Sequence, residues 1–171
     1  MSLGTFLLRA VVGGGFVAHG LQKLNGSFDG PGLKGVEQMM TSLDMHPAPL
    51  NARLAALTET AGGAAIVLGA GTPLAAAGLV ATMVTAIRKV HWNNGFFNSG
   101  GGFEYNATLI AALGTIAAGP GIVSFDAMFG KKKWGVGGTL FALAVGAASS
   151  VLVIEAGKRN APAAVAEEPA A

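Results

Sequence analysis

The 171-residue chain contains no cysteine. Without thiols the polypeptide forms no disulfide, holds no thiol redox centre and offers no zinc-thiolate or cysteine-ligated iron-sulfur site. Charge is also scarce, with Asp, Glu, Lys and Arg together at 12% of residues, about half the share a soluble domain carries. The formal net charge is +2, and the basic residues are scattered except at Lys131, Lys132 and Lys133. That pattern is not a nucleic-acid footprint, and no nucleic-acid partner is expected. Three lysines beside an apolar segment suit anionic lipid instead. No phosphate loop, dinucleotide fingerprint or Ser-His-Asp constellation is visible, and "GGGF" at 13–16 and at 100–103 lacks the preceding strand that a dinucleotide site needs. No metal site is expected.

What the chain does have is apolar bulk and glycine. Hydrophobic residues make up 51% of it, 27 residues are glycine, and the mean hydropathy is +0.54. This is the composition of an integral membrane protein whose helices approach closely through small residues, so the fold class expected is an all-α, polytopic transmembrane bundle and the first partner is the lipid bilayer.

A spanning helix needs about 20 mainly apolar residues, and five segments meet that requirement. The first covers about residues 3–24 and, lacking a basic n-region and a small-x-small cleavage site, reads as a retained helix rather than a signal peptide. A loop rich in Gly and Pro follows, in which Val36, Met39, Met40 and Leu43 take helical spacing. That piece is predicted to lie on the bilayer surface or to cap the bundle. The second span covers about 50–68, with "HPAPLN" before it and Asn51 as a candidate cap. "GAGTP" at 69–73 reads as a tight turn into a third span, about 73–92. After a glycine-rich, aromatic connection come a fourth span, about 105–123, and a fifth, about 134–154. Residues 1–130 thus form a four-helix core, 131–156 an additional helix, and 157–171 a polar tail expected to be disordered.

Ionised side chains inside a bilayer cost roughly 2.5 to 3.5 kcal/mol each and require partners. Glu59 stands in the middle of the second span and is the hardest to explain as packing alone. On the first helix Arg9, His19 and Lys23 fall on one side at ~100° per residue. Alternating topology brings His19, Lys23, Arg53, Arg88, Lys89, His91 and Glu104 towards one membrane face. Arg9, entering from the opposite end, is the preferred partner of Glu59, and His19 is the alternative. Snorkelling to headgroups is the plain reading for Lys23, Arg53, Arg88 and Lys89, and hydrogen-bonded packing is the plain reading for His19 and His91.

The segments "LLRAVVGGGFVAHGLQKL", "LTETAGGAAIVLG", "HW" closing the third helix, "GGFEYN" and "GPGIVSFD" together resemble the DoxX family of small bacterial membrane proteins, over about residues 4–130. The resemblance implies a four-helix integral bundle, multi-pass in the bacterial cytoplasmic membrane. It also implies association with membrane oxidoreductases, the family being named after subunits of a thiosulfate:quinone oxidoreductase. The family pattern falls on Arg9, His19, Gly20, Lys23, Glu59, Gly63, His91, Glu104 and Asp126. The fifth hydrophobic segment lies beyond the usual four helices.

Three functions compete on this reading. The first is an oxidoreductase-associated subunit with no covalently bound cofactor, in which a polar pocket holds a quinone-like or anionic headgroup and moves protons. Glu59, His19 and His91 would be the catalytic residues, and Arg9, Lys23, Arg88 and Glu104 the ligand-binding ones. The second is a non-catalytic anchor for partner enzymes, in which small-residue faces also allow a homo-oligomer. The third is transport of a small anion.

Overall fold

The computed structural model describes residues 3–162. The chain runs through α1 (Leu3–Asn25), α2 (Gly32–Ser42), α3 (Ala48–Leu68), α4 (Thr72–Ala86), α5 (Glu104–Ala118), the single turn α6 (Phe125–Met128) and α7 (Gly135–Arg159), with no strand among the described residues. A π-helical turn, Ile87–His91, and a 3-10 turn, Trp92–Asn94, continue α4 to its end. Three helical stretches among the described residues, Leu3–Asn25, Thr72–Asn94 and Gly135–Arg159, are long and apolar enough to cross a membrane on length and composition.

α3 is also long, at 21 residues, but its polar side chains lower its hydropathy. Two of them are turned inward, Asn51 and Glu59, whereas Leu50, Leu54 and Leu57 are exposed, as is Arg53 near the start of the helix. This arrangement, polar inside and apolar outside, is what lipid as the surrounding solvent favours. α5, at 15 residues, spans only about 22 Å. It stops at Ala118 rather than near Val123 because Gly119 leaves helical geometry with φ −174 and ψ 112 and Pro120 follows.

α4 is the central helix, packed against α3, α5 and α7. Leu79, Val80 and Met83 on α4 meet Ile66, Leu113, Ile116 and Ala142 in the core. α7 is held as an integral member of the bundle. Its buried positions Gly138, Ala142, Gly146, Ser150, Ile154 and Gly157 recur at about one turn, and a Cβ on Gly146 would lie 2.6 Å from Val80. The helix continues to Arg159, so residues 157–159, expected in a disordered tail, are helical instead. Residues 163–171 of that expected tail lie outside the described residues.

The register of α1 on α3 is set by glycines. A Cβ on Gly63 would fall 2.7 Å from the Gly13 carbonyl oxygen, and one on Gly13 an equal 2.7 Å from the Gly63 carbonyl. Two turns further along α1, Gly20 lies against Thr60. In this antiparallel register Lys23 is level with Glu59, and roughly the first eight residues of α3, about 12 Å, project beyond the end of α1. α2 packs there, against α3 and α1, with Val36 buried. The amphipathic piece expected to lie on the bilayer or cap the bundle therefore caps it.

α3 begins at Ala48, three residues before the cap expected at Asn51. Asn51 is instead a buried residue of the first turn whose amide donates to the Met45 and Pro47 carbonyls at 3.2 and 3.1 Å.

Gly63→Ala is expected to lower the thermal midpoint of the protein in detergent by the equivalent of about 1 to 3 kcal/mol, the cost of overpacking against a backbone atom. Gly14→Ala, where a Cβ meets nothing within 4 Å, is expected to hold or raise it, since alanine favours helix over glycine. Circular dichroism melts of both variants compare the two.

Candidate functional site

Two polar groupings occupy opposite ends of the bundle. The first surrounds the turn between α3 and α4. A helix end leaves carbonyls without intrahelical partners, and lipid offers no water for them. At the end of α3 these carbonyls are served by Arg9, which is 2% exposed. Its Nε donates to the Ile66 carbonyl at 2.9 Å and its Nη2 to that of Val67 at 2.5 Å. Nη1 donates to the carbonyls of Pro120 and Val123 at 2.5 and 2.7 Å. The guanidinium lies against Gly69, where a Cβ would come 2.8 Å from Cζ and where φ is +68. Glycine is required at that position twice over, for the left-handed turn and for the close approach.

The start of α4 is served by an acid. Asp126 accepts from the Gly71 and Thr72 backbone N–H groups at 2.7 and 3.0 Å, from the Thr72 hydroxyl at 2.6 Å and from Trp134 Nε1 at 3.2 Å. Its own N–H donates to the Gly69 carbonyl at 2.9 Å. A cation therefore sits at the negative end of the α3 dipole and an anion at the positive end of the α4 dipole, and residues from α1, the α5–α7 connection and α7 all meet at one turn. Burial pushes the Asp126 carboxyl up, but the hydrogen bonds from Thr72, Gly71 and Trp134 together outweigh it and hold the group below the usual carboxylate range.

The second grouping lines a cavity of about 330 Å³ at the other end. α3 contributes Asn51, Leu54, Thr58 and Glu59, and α4 contributes Gly78, Thr82, Thr85 and Lys89. α7 adds Ser149, Ser150 and Val153, and α2 covers the space with Met39, Met40 and Leu43. Glu59 is 5% exposed, and its Oε2 accepts from Lys23 Nζ at 2.5 Å.

The pairing expected between Arg9 and Glu59 is therefore not formed. The glycine register places Arg9 level with the end of α3 and Lys23 level with Glu59, so Lys23 is the partner. His19, the alternative, is exposed, and its Nδ1 pairs with Gln22 Oε1 at 3.0 Å. Arg88 is exposed in the π-helical turn, whereas Lys89 faces the cavity.

His91 and Glu104 do not line the cavity; they tie down the α4–α5 connection. His91 Nδ1 donates to the Gly101 carbonyl at 2.7 Å, which places the imidazole proton on Nδ1. Glu104 accepts from the Asn98 N–H at 3.0 Å. Trp92 stacks on Phe103 with centroids 5.6 Å apart, and Phe96 meets Phe103 edge-on at 5.6 Å. Of the seven candidate site residues the structure brings Lys23 and Glu59 together at the cavity and distributes the other five elsewhere. Sequence reasoning did not single out Thr85, Ser149 and Ser150 on the cavity wall, because isolated hydroxyls in apolar helices carry no spacing signal. Thr72 preceding Pro73 was a legible helix start, but its acidic partner lies 54 residues away.

A family model, DoxX, matches residues 4–92, just over half of the chain. The chain belongs to the DoxX family. It is a multi-pass membrane protein, in accord with its apolar helices. No curated protein and no solved structure matches it. The DoxX match runs from α1 into the α4 extension, ending at Trp92 and including Arg9, Lys23 and Glu59, and stops short of residue 130, to which the resemblance was expected to extend. Asp126 and α7 lie outside it.

Arg9→Lys is expected to destabilise this DoxX protein by about 3 kcal/mol, because a single ammonium cannot reach four carbonyls arranged around a planar fork. The thermal midpoint in detergent reads this. Asp126 predicts an acid dependence. Its folded-state value lies below the unfolded value of about 3.9, so its contribution is full above that pH and is lost as pH falls through the folded-state value. Wild type is expected to lose more of its midpoint between pH 5 and pH 3 than Asp126→Asn, which begins lower and has no carboxyl to titrate there.

Proposed function

We propose that the α2–α3–α4–α7 cavity binds a quinone-like headgroup, with Glu59 exchanging its proton, and that the protein serves as a subunit of an oxidoreductase system in the bacterial cytoplasmic membrane. The observation that carries this reading is the Lys23–Glu59 pair on the wall of an otherwise largely apolar cavity. Small-molecule sites have this character: apolar walls with a few placed polar groups. The redox component comes from the family resemblance, and the pocket supports it by its chemistry.

The pair also discriminates between ligands. Lys23 and Glu59 cancel in charge, so the pair suits a neutral oxygen that accepts from the ammonium as a quinone carbonyl and donates to the carboxylate as a quinol hydroxyl, the two electrons between these forms being exchanged with a redox-active partner subunit. An anionic headgroup would meet an already neutralised lysine, leaving Lys89 at the rim as the remaining cation on the cavity wall. The same neutrality weighs against small-anion transport.

A second reading, a non-catalytic anchor for partner enzymes or for further copies of the chain, is supported by a different observation. Arg9, His91 and Glu104 spend their hydrogen bonds on backbone groups of the fold, which leaves the charged residues fewer chemical duties than the sequence reading assigned.

Purification in detergent followed by lipid extraction and mass spectrometry separates the two. Wild type is expected to retain quinone at a substantial fraction of one equivalent, and Glu59→Gln and Lys23→Met are expected to retain at least tenfold less while keeping the wild-type elution profile. A wild-type protein devoid of quinone, with a partner that co-purifies whatever residue stands at 59, is the result that supports the anchor.

A further inference from the structure

The cavity has one wall that the DoxX match does not include. α7 starts 43 residues after the end of the matched segment, yet Ser149, Ser150 and Val153 line the same space as Glu59. α7 cannot withdraw easily from this position. Gly146 is pressed on Val80, and a Cβ on Gly157 would meet the Asp44 carbonyl at 3.2 Å, so the helix is fixed against α4 on one side of the cavity and against the α2–α3 connection beyond it.

At the cavity, Thr85 Oγ1 and Ser150 Oγ are 2.9 Å apart. Ser150 is fully buried. Each hydroxyl carries one proton, and the bond between them uses one. Neither oxygen makes another hydrogen bond among the described residues, so the pair retains one unspent O–H in an apolar, buried setting. Thr85 is the partly exposed member of the pair and lines the cavity, which is the space into which its hydroxyl opens.

The position of the pair relative to Glu59 follows from helix register. A Cβ on Gly78 would touch Thr58 Cγ2 at 3.2 Å, which puts Gly78 level with the neighbourhood of Glu59. Thr85 lies seven residues further along α4, roughly 10 Å at the helical rise. The pair thus lies about two turns along the cavity from Glu59, with Leu54, Ala55 and Ala81 and the methionines of α2 forming most of the wall between them and Lys89 lying one turn beyond.

We infer that the Thr85–Ser150 hydroxyl pair is a second ligand-contacting site of this cavity, donating to an oxygen of the bound molecule, and that α7 is the helix that sets ligand specificity. The inference rests on the reading that the cavity holds a quinone-like molecule. It adds that this molecule is an elongated amphiphile with a hydrogen-bond acceptor separated by apolar length from the group that meets Lys23 and Glu59. Thr85 contacts the ligand, the fully buried Ser150 behind it orients the Thr85 hydroxyl, and Ser149 controls the width of the site.

The test uses the full-length protein in detergent and, as the probe, a ubiquinone headgroup bearing a ten-carbon chain that ends in a hydroxyl, whose chain oxygen is the acceptor offered to the Thr85–Ser150 pair, with binding measured by equilibrium dialysis and folding by the thermal midpoint. Ser150→Ala and Thr85→Val are expected to raise Kd about five- to tenfold, the loss of one hydrogen bond, at an unchanged midpoint. Ser149→Leu, which leaves the hydroxyl pair in place and narrows the cavity from α7, is expected to raise Kd at least tenfold. Wild-type affinity in all three variants, with binding lost in Glu59→Gln, overturns the role of α7 and leaves the quinone reading standing. No binding of the probe by wild type overturns both.

Discussion

The bundle is organised around one buried guanidinium. Lipid provides no hydrogen-bond donors for the carbonyls at a helix end, so a turn placed inside or at the edge of the bilayer must be supplied with them by side chains. Arg9 does this for α3 and reaches on to Pro120 and Val123, joining three segments distant in sequence. Asp126 performs the opposite task for α4. The two charges need no direct bond to each other. Each is stabilised by the helix dipole it faces, and the turn between them holds both. With this end of the bundle closed, the glycine contacts of α1 on α3 set the register, and the register in turn places Lys23 opposite Glu59.

That order of dependence explains which features were legible in the sequence. The helices were legible because each is a run of apolar residues bounded by glycine, proline or polar clusters, and the α3–α4 turn was legible from "GAGTP". The amphipathic α2 was visible in the spacing of Val36, Met39, Met40 and Leu43. Pairing partners were not, because they depend on axial register between helices. Taking α1 and α3 as level at their ends sets Arg9 at reach of Glu59. The observed register, fixed by Gly13 against Gly63, shifts α3 by about two turns relative to that assumption and gives Glu59 to Lys23. Glycine contacts that set such a register look, in one sequence, like any other glycines in an apolar helix.

His91 and Glu104 illustrate a second limit. Alternating topology brings both towards one end of the bundle, and the structure places them at the α4–α5 connection, away from the cavity lining. The connection between α4 and α5 is rich in glycine, and its backbone groups need partners of their own. His91 and Glu104 satisfy the Gly101 carbonyl and the Asn98 N–H, while the Trp92, Phe96 and Phe103 rings pack together beside them. Polar residues flanking such a loop are drawn to it before they are available to a ligand, which is why a charge count at a membrane face overstates the polarity of the pocket beneath it.

The distribution of charge that results is uneven in a way that bears on chemistry. The guanidinium is committed to four carbonyls and the Asp126 carboxylate to four donors, so both are largely spent on the fold, with one of the five guanidinium N–H groups left over. Glu59 accepts one bond, from a lysine that is itself part-exposed. A buried carboxylate can accept several hydrogen bonds and is costly to leave under-served. A fold that needed Glu59 for cohesion alone would be expected to surround it with donors, as it surrounds Asp126. The contrast between the saturated acid at the turn and the sparsely bonded acid at the cavity is the strongest physical support for the proposal that the cavity end binds a ligand while the turn end holds the fold together.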